Sequence, residues 1–483
     1  MKHILLKSAA VVAAVVWGSI EAQATWTYDS SANTLSDATT GYSFTVAEVT
    51  LTDPETKAEV KGFEIKSKAP STATGDLDFT NVASDTETGK NVISFNLVNS
   101  NGASLVGDVS TCYKVTAPHV INICRQIFNG NKVIKEVVLS EKVTAFPALC
   151  FNGTTSLTNL MPRTFPYVTT LFDRVHNTLQ HFQFNSSAVE GEFYFPNVTN
   201  VGSQVFQKSK ITGISLPRVE NIMNGAFESC TSLTGDLYFA ELKTLGSYPF
   251  KSCTAITSFT APKMETVADS VLQNCSALTN VSFGAACGGN YGNNAFASCG
   301  KLVSLTPWLN FSNITNTYDN KGNIYFYYNP IKGCSSLVGS IEVSGPSGLH
   351  TIKDDWMQGC NGITSITIRT PWVTNVVKNV AAGNIASTYG LAPGATIYWN
   401  TQKAPLAFGN PAFISTDVNN RSRIIVKNDL DGWKALSGFK DVSTLSAKDS
   451  TNRVDWPGKK TFGLLNSNVW LVEASQSFCI RIQ

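Results

Sequence analysis

Any chemistry in this chain would have to come from its cysteines, its few histidines and its carboxylates. Eleven cysteines are present, and six of them, Cys230, Cys253, Cys275, Cys299, Cys334 and Cys360, follow one another at intervals of 22 to 35 residues. A zinc site needs ligands that converge on a point, usually through C-x-x-C pairs, and a row does not converge. Adjacent rungs of such a row would lie within disulfide distance, but parallel side chains seldom present the required torsion. The row therefore reads as buried thiols acting as small apolar residues. On that reading, Cys253→Ser is expected to destabilise the fold by roughly 1–3 kcal/mol, through a buried hydroxyl with no assured partner. Cys112 and Cys124 lie outside the row and could pair in an oxidising compartment. Cys150, Cys287 and Cys479 are unplaced.

Histidine is scarce. Beyond the leader described below, only His119, His176, His181 and His350 occur. His350 lies near Ser347, Asp354 and Asp355, the nearest approach to a nucleophile, base and orienting acid. All four fall in one short stretch, where a polar loop explains them as well. No G-x-S-x-G, phosphate-binding loop or zinc-protease motif is present. No catalytic residue, metal or cofactor is expected.

The row of thiols implies a repeating element that positions it. The stretch from Ile211 to Ser232 opens a unit that starts again at Leu233, Ile256, Leu278 and Leu302, at intervals of 22, 23, 22 and 24 residues. Units from Leu337 and Ile363 are stretched by insertions, and degenerate ones begin near Ile134, Leu157, Leu179 and Val189. Trios such as Ile211, Ile214 and Leu216, or Leu278, Val281 and Phe283, end in the alternation of a strand with one buried face. A second apolar pair follows, as in Val219 and Ile222 or Met264 and Val267. Next comes a large apolar residue: Phe151, Phe206, Phe227, Phe250, Leu272, Phe296, Ile331 or Met357. In most units the cysteine sits three residues later. One such coil cannot bury its apolar side alone, so neighbours must stack, with strands in parallel about 4.8 Å apart. Like side chains then form interior ladders, Phe227, Phe250, Leu272 and Phe296 beside Cys230, Cys253, Cys275, Cys299, Cys334 and Cys360.

The residues Ile222, Ala226-Phe227, Cys230 and Leu233, with the strand after them, resemble the BspA-type leucine-rich repeat, I-x-x-x-A-F-x-x-C-x-x-L-x-x-I-x-L-P. The resemblance covers roughly residues 134 to 373 and is strongest from 206 to 302. It implies a leucine-rich-repeat solenoid with one short parallel strand per 22–23-residue coil. A β-rich N-terminal region over 25–133 would cap one end, as open solenoids require. The run from Ala412-Phe413 to Arg423-Ile424-Ile425-Val426, then Trp433-Lys434-Ala435-Leu436, resembles the family's closing strand and short helix. It marks 374–440 as a C-terminal closing repeat or cap, and 441–483 remains an unassigned appendage.

Residues 1–24 read as a signal peptide: Lys2, His3 and Lys7, an apolar run from Ala9 to Trp17, then Ala22-Gln23-Ala24 as a small-x-small cleavage site. The run is shorter than the roughly 20 residues a membrane span needs. No later stretch is long and apolar enough, so the mature chain carries no expected transmembrane segment. With 37 Lys and Arg against 35 Asp and Glu, no charge bias points to nucleic acid.

Two insertions break the period. The first carries Trp308, Tyr318, Tyr325, Tyr327 and Tyr328, and the second carries Trp356. Aromatic residues on such loops could stack on sugars or anchor a protein, or could pack over the coil beneath. The parallel sheet offers a second candidate surface. The family resemblance implies a secreted or cell-surface, adhesion-type protein that binds an extracellular protein or glycan. Two other functions stay open: a structural envelope protein without a specific ligand, and a β-helix-like enzyme acting on polysaccharides. The enzyme is disfavoured because Glu220, Lys243 and Glu265, at one matching position, alternate in sign where a catalytic carboxylate cluster would not. A β-helix would also show two strong strands per coil, and the pattern yields one.

Overall fold

The computed structural model describes residues 25–86, 88–97, 104–107, 109–175, 178–180, 182–310, 317–318, 324–325, 329–344, 349–353, 357–369, 373–377, 394–405, 407–408, 422–437, 439–446, 460–465 and 469–474. The leader, Ser347, Asp354, Asp355, Trp356, Tyr327, Tyr328 and Cys479 lie outside them.

The chain opens with a sheet of Trp26–Asp29, Thr34–Asp37, Tyr42–Thr52, Glu59–Ile65 and Val92–Phe95. Its first four strands are antiparallel neighbours, and the fifth runs parallel to the fourth. Alternation along Tyr42–Val46 buries Tyr42, Phe44 and Val46, as expected of a sheet with one covered face. Trp26 stacks on Phe79 at 5.1 Å, and its indole N–H donates to the Asp78 carbonyl at 2.7 Å. The sheet passes directly into the solenoid. Phe95 N–H donates to Asn122 O, and Ile121 N–H to Ile93 O, both at 3.0 Å. One apolar core runs from Trp26 to Leu471.

From there the coils stack in parallel. Leu77–Asp78, Lys114–Ala117, Glu136–Leu139 and Asn159–Met161 form the first ladder. Coiling thus begins N-terminal to residue 134, the boundary read from the sequence. The early units carry polar residues in the thiol register and so lose the signature. Further along, Glu192–Tyr194 pairs with Gly213–Ser215, and Gly235–Tyr238 with Ile256–Ala261, Asn280–Phe283 and Ser304–Thr306. Phe193, Leu237, Phe259 and Val281 point inward and are buried.

A second parallel ladder joins Thr170–Leu171, Asn200–Val201, Asn221–Ile222, Thr244–Leu245 and Thr266–Val267. Each central coil thus has a two-residue strand besides the longer one, where the sequence pattern yielded one. Two residues are too few for alternation to show.

The third side of each coil is a tight turn. Phe128, Phe151, Phe184, Phe206, Phe227 and Phe250 stack at 5.0–5.3 Å between successive centroids. Their backbone N–H groups donate to carbonyls of the next coil, as Phe227 does to Pro249 at 2.7 Å. Ser229, Ser252, Asn274 and Ser298, each just before a ladder cysteine, hold φ between +61° and +63°. That left-handed step turns the cysteine side chain back into the coil.

At the far end Gly339–Val343, Ile363–Ile368, Thr396–Trp399, Ser422–Val426 and Val469–Glu473 continue in parallel. Thr461–Leu465 and Phe439–Asp441 then close the sheet in antiparallel pairing. The helix Leu430–Lys434 begins at Asp429, whose carboxylate accepts from Gly432 N–H, and it presses Trp433 edge-on against Trp399 at 5.3 Å. Two strands of the closing sheet come from the stretch beyond Asp441.

Candidate functional site

The thiol register comes first, because its chemistry is fully determined by its surroundings. Cys230, Cys253, Cys275, Cys299, Cys334 and Cys360 are all buried. Each donates its S–H to the main-chain carbonyl of the large apolar residue one coil earlier. The pairs are Cys230 to Phe206 at 2.9 Å, Cys253 to Phe227 at 3.0 Å, Cys275 to Phe250 at 3.2 Å, Cys299 to Leu272 at 3.1 Å, Cys334 to Phe296 at 3.0 Å and Cys360 to Ile331 at 3.2 Å. Burial pushes Cys230, Cys299 and Cys360 up to about 12, and Cys253, Cys275 and Cys334 well up as well. The thiols therefore stay protonated and donate. Upstream coils hold Thr154, Ser187 and Ser209 at the same register, all buried.

This arrangement revises the expected cost of Cys253→Ser. An acceptor, Phe227 O, already waits for the hydroxyl. We expect the serine variant to melt within about 1 kcal/mol of the parent, while Cys253→Ala loses a buried hydrogen bond and leaves a void, at about 1–2 kcal/mol. Urea unfolding of the two variants side by side checks the order. A thiol reagent at pH 8 should label none of the six in the folded chain and all of them once it is unfolded. Cys112 and Cys124 are both free thiols, and Cys112 donates to Lys114 O at 3.4 Å. Cys150 is buried with its S–H donating to Gln183 O at 3.8 Å, and Cys287 is buried.

The sequence-derived catalytic grouping does not assemble within the described residues. Ser347, Asp354 and Asp355 lie outside them, and nothing is described of the His350, His176 or His181 side chains. Among the described residues, no group of three or more His, Cys, Asp and Glu side chains could hold a metal ion. Lys243 Nζ meets Glu220 at 2.9 Å, with both side chains about two-fifths exposed. This is a solvated ion pair between coils.

Of the insertion aromatics, Trp308 is held by the fold. Its indole N–H donates to Ser340 O at 2.8 Å, and its ring lies 2.5 Å from where a Cβ on Gly339 would stand. Gly339 is thus the residue that lets the ring lie on the next coil. Tyr318 and Tyr325 belong to a short antiparallel pair, Thr317–Tyr318 with Ile324–Tyr325.

Two depressions remain. One, of about 630 Å³, lies in the seam between the hairpin around Asp53 and the first coils, with Ile93, His119, Ile121 and Leu139 in its wall. Lys142 Nζ bridges this seam to Asp53 at 2.7 Å and to Glu55 at 3.1 Å. The hydrogen bond to Lys142 draws Asp53 down to about 2, and the one to Asp53 lifts Lys142 to about 12. Asp53 is depressed, so its contribution is present above about pH 4 and lost as pH falls through about 2. Lys142 is raised, so its share is lost only as pH rises through about 12. The stability difference between the parent and Lys142→Met should therefore stay flat from pH 5 to pH 9 and shrink below pH 4 in urea titrations.

The other depression, of about 450 Å³, opens in the outer face of the longer-strand sheet. Its residues follow from an irregularity in the repeat. Ile214 follows Ile211 at an offset of three, but Leu237 follows Leu233 at an offset of four. Gly235 holds φ +82°, and pairing with the following coil skips Thr257, passing from Gly235–Ile256 to Asp236–Ser258. Gly213–Ser215 and Gly235–Tyr238 do not pair as strands. The adjoining coils meet here through Thr234 N–H and Thr212 O at 3.1 Å. Phe239 N–H points toward Thr260 O and Ser215 O toward Phe195 N. By alternation, the peptide groups of Ile214, Asp236 and Tyr238 face the gap with no backbone bond across it.

Tyr194 pairs with Ser215 at one side of the gap and with Thr164 of the preceding coil, and Tyr238 ends the strand on the other side. They are 42% and 63% exposed. Nearby, Lys114–Glu136–Asn159–Arg163 are linked at 2.8, 3.1 and 3.2 Å. The Arg163 guanidinium lies 4.9 Å over the Phe193 ring. Burial pulls Arg163 below its usual value, with Glu190 opposing. Ser258 and Thr257 hydroxyls donate to Asp236 at 2.7 and 2.9 Å and hold it ionised. Sequence reasoning missed this cleft, although the one-residue excess with a glycine before Leu237 marks it.

The family model described as BspA type leucine rich repeat region matches residues 108–234 and 199–324, in six copies. No curated protein matches. Among solved structures, the chain is similar to a leucine-rich repeat protein from Bacteroides ovatus, at 15% identity over 69% of this chain and 92% of that one, TM-score 0.32. It is similar to a leucine rich cell surface protein from Faecalibacterium prausnitzii, at 14% identity over 84% and 97%, TM-score 0.34. A third likeness is the pneumococcal vaccine antigen PcpA, at 13% identity over 74% and 91%, TM-score 0.33. With the thiol register, the phenyl stack and the parallel coils in place, the repeats of residues 108–324 belong to the BspA-type leucine-rich repeat family.

Proposed function

We propose that this protein is an exported, secreted or cell-surface binding protein that offers the outer face of its longer-strand sheet to an extracellular protein or glycan. The observation that carries the reading is the pair of exposed tyrosines at the cleft, Tyr194 in its wall and Tyr238 at the end of the strand that borders it, on an otherwise hydroxyl-rich face. Exposed aromatic residues beside a cleft are the side chains that interfaces favour. The Lys2-to-Ala24 leader pattern supports export. Among the described residues, no helix is long and apolar enough to cross a membrane.

The test is an array of extracellular matrix proteins and glycans probed with residues 25–483 and with a Tyr194→Ala, Tyr238→Ala variant. We expect at least one specific partner whose affinity falls tenfold or more in the variant, with the melting curve unchanged. Partners unaffected by the variant, or no partner at all, would favour a structural envelope role.

A further inference from the structure

We infer that the cleft between Gly213–Ser215 and Gly235–Tyr238 is a binding site for a neutral glycan. This inference rests on the sheet-face reading above and names the ligand class. The argument begins with the backbone. Peptide groups of Ile214, Asp236 and Tyr238 face the gap without a bond across it. Polar backbone groups removed from the ladder need water or a ligand as partner. A hydroxyl-rich molecule supplies both donors and acceptors to such groups, and an apolar one supplies neither.

Next come the rings. Tyr194 pairs with Ser215 on one side of the gap, and Tyr238 ends the strand on the other side. Both are exposed. Tyrosines so placed present apolar faces to the C–H side of a sugar ring and a hydroxyl to its rim. The volume of about 450 Å³ lies within the usual range of small-ligand sites.

Charge then narrows the class. Glu192 and Asp236 line the cleft, and Asp236 is held as an anion. Arg163, the cation there, is engaged by Glu190 O and by Asn159. Carboxylates accept from sugar hydroxyls and repel uronate or sulfate groups. The site therefore selects uncharged chains over acidic ones.

The inference is tested by calorimetric titration of residues 25–483 with cellohexaose, laminarihexaose, mannohexaose and, as the acidic counterpart, oligogalacturonate. The expected result is binding of at least one neutral hexasaccharide and none of the uronate. Affinity should fall tenfold or more in Tyr238→Ala and in Asp236→Asn. It should be unchanged in Tyr113→Ala, which removes an exposed tyrosine outside the cleft. Circular dichroism melting confirms that the variants remain folded. Absence of binding by all three neutral chains, preference for the uronate, or equal binding by the Tyr238 variant overturns the inference. If the neutral chains fail while a protein partner from the array is still lost in the Tyr194, Tyr238 double variant, the sheet-face reading stands and the glycan assignment falls alone.

Discussion

Phe250→Ala should lower the stability of the solenoid by about 3–5 kcal/mol, the usual cost of removing a buried phenyl. Phe250 is fully buried at the end of the continuous phenyl stack. It touches Phe227 face to face at 5.0 Å, Phe259 edge-on at 5.2 Å and Phe239 at 6.0 Å. The coil below and the coil above both rest on it, so the void cannot close without parting the strand ladders. Because each coil contacts only its neighbours, the damage should be local. Hydrogen exchange should rise in residues 227–275 and remain near parent values in the N-terminal sheet. A uniform rise along the whole chain would mean that the coils unfold as one unit.

Gly292→Ala should be almost as damaging, at about 3 kcal/mol, for the opposite reason. A Cβ at this position would stand 2.1 Å from the Ala268 carbonyl carbon and 2.4 Å from Asp269 N, which are backbone atoms of the preceding coil. Backbone cannot swing aside as a side chain can. Relief requires opening the stack, which overpacking penalties of about 1–3 kcal/mol or more describe. Asn293 N–H donates to the Asp269 carboxylate at 2.7 Å, and Ser270 N–H to Asn293 O at 2.9 Å, and both bonds would stretch. The measurement is the urea midpoint of the variant against the parent. An unchanged midpoint would show that the coils are less tightly apposed than the structure has them.

These two residues show how unevenly the sequence displayed its fold. Phe250 was legible because the same residue type returns with a cysteine three places on, coil after coil. Gly292 was not, because close approach of two backbones leaves no trace except a missing side chain. The thiols were readable as a buried row, yet their hydrogen bonds were not. The acceptor of each is a carbonyl one coil away, and spacing alone does not orient it. The first coils, including the one that precedes residue 134, lose the signature because Asn131, Thr154, Ser187 and Ser209 stand where later coils carry cysteine. All four are buried, so the register is kept while the residue type changes.

The candidate site was harder still. The inserted aromatics stand out in the sequence because the insertions interrupt the repeat. Trp308 turns out to pack on Gly339 and Ser340. The cleft instead lies where the longer-strand ladder is interrupted between Gly213–Ser215 and Gly235–Tyr238, as it also is before Glu192–Tyr194 and after Ser304–Thr306. Such an interruption leaves strand edges unpaired. The signal was present in the spacing of Leu233 and Leu237 but was obscured by unit lengths that vary by one or two residues. Tyr194 and Tyr238 were missed because isolated tyrosines acquire meaning only when the fold brings them to the two sides of one cleft.

Hydrogen exchange on the protein bound to whichever partner the array identifies tests the account most directly. Slowed exchange should fall on Asn159–Met161, Glu192–Tyr194, Gly213–Ser215 and Gly235–Tyr238. Protection confined to residues 311–328 and 354–356, with the sheet face unchanged, would contradict it.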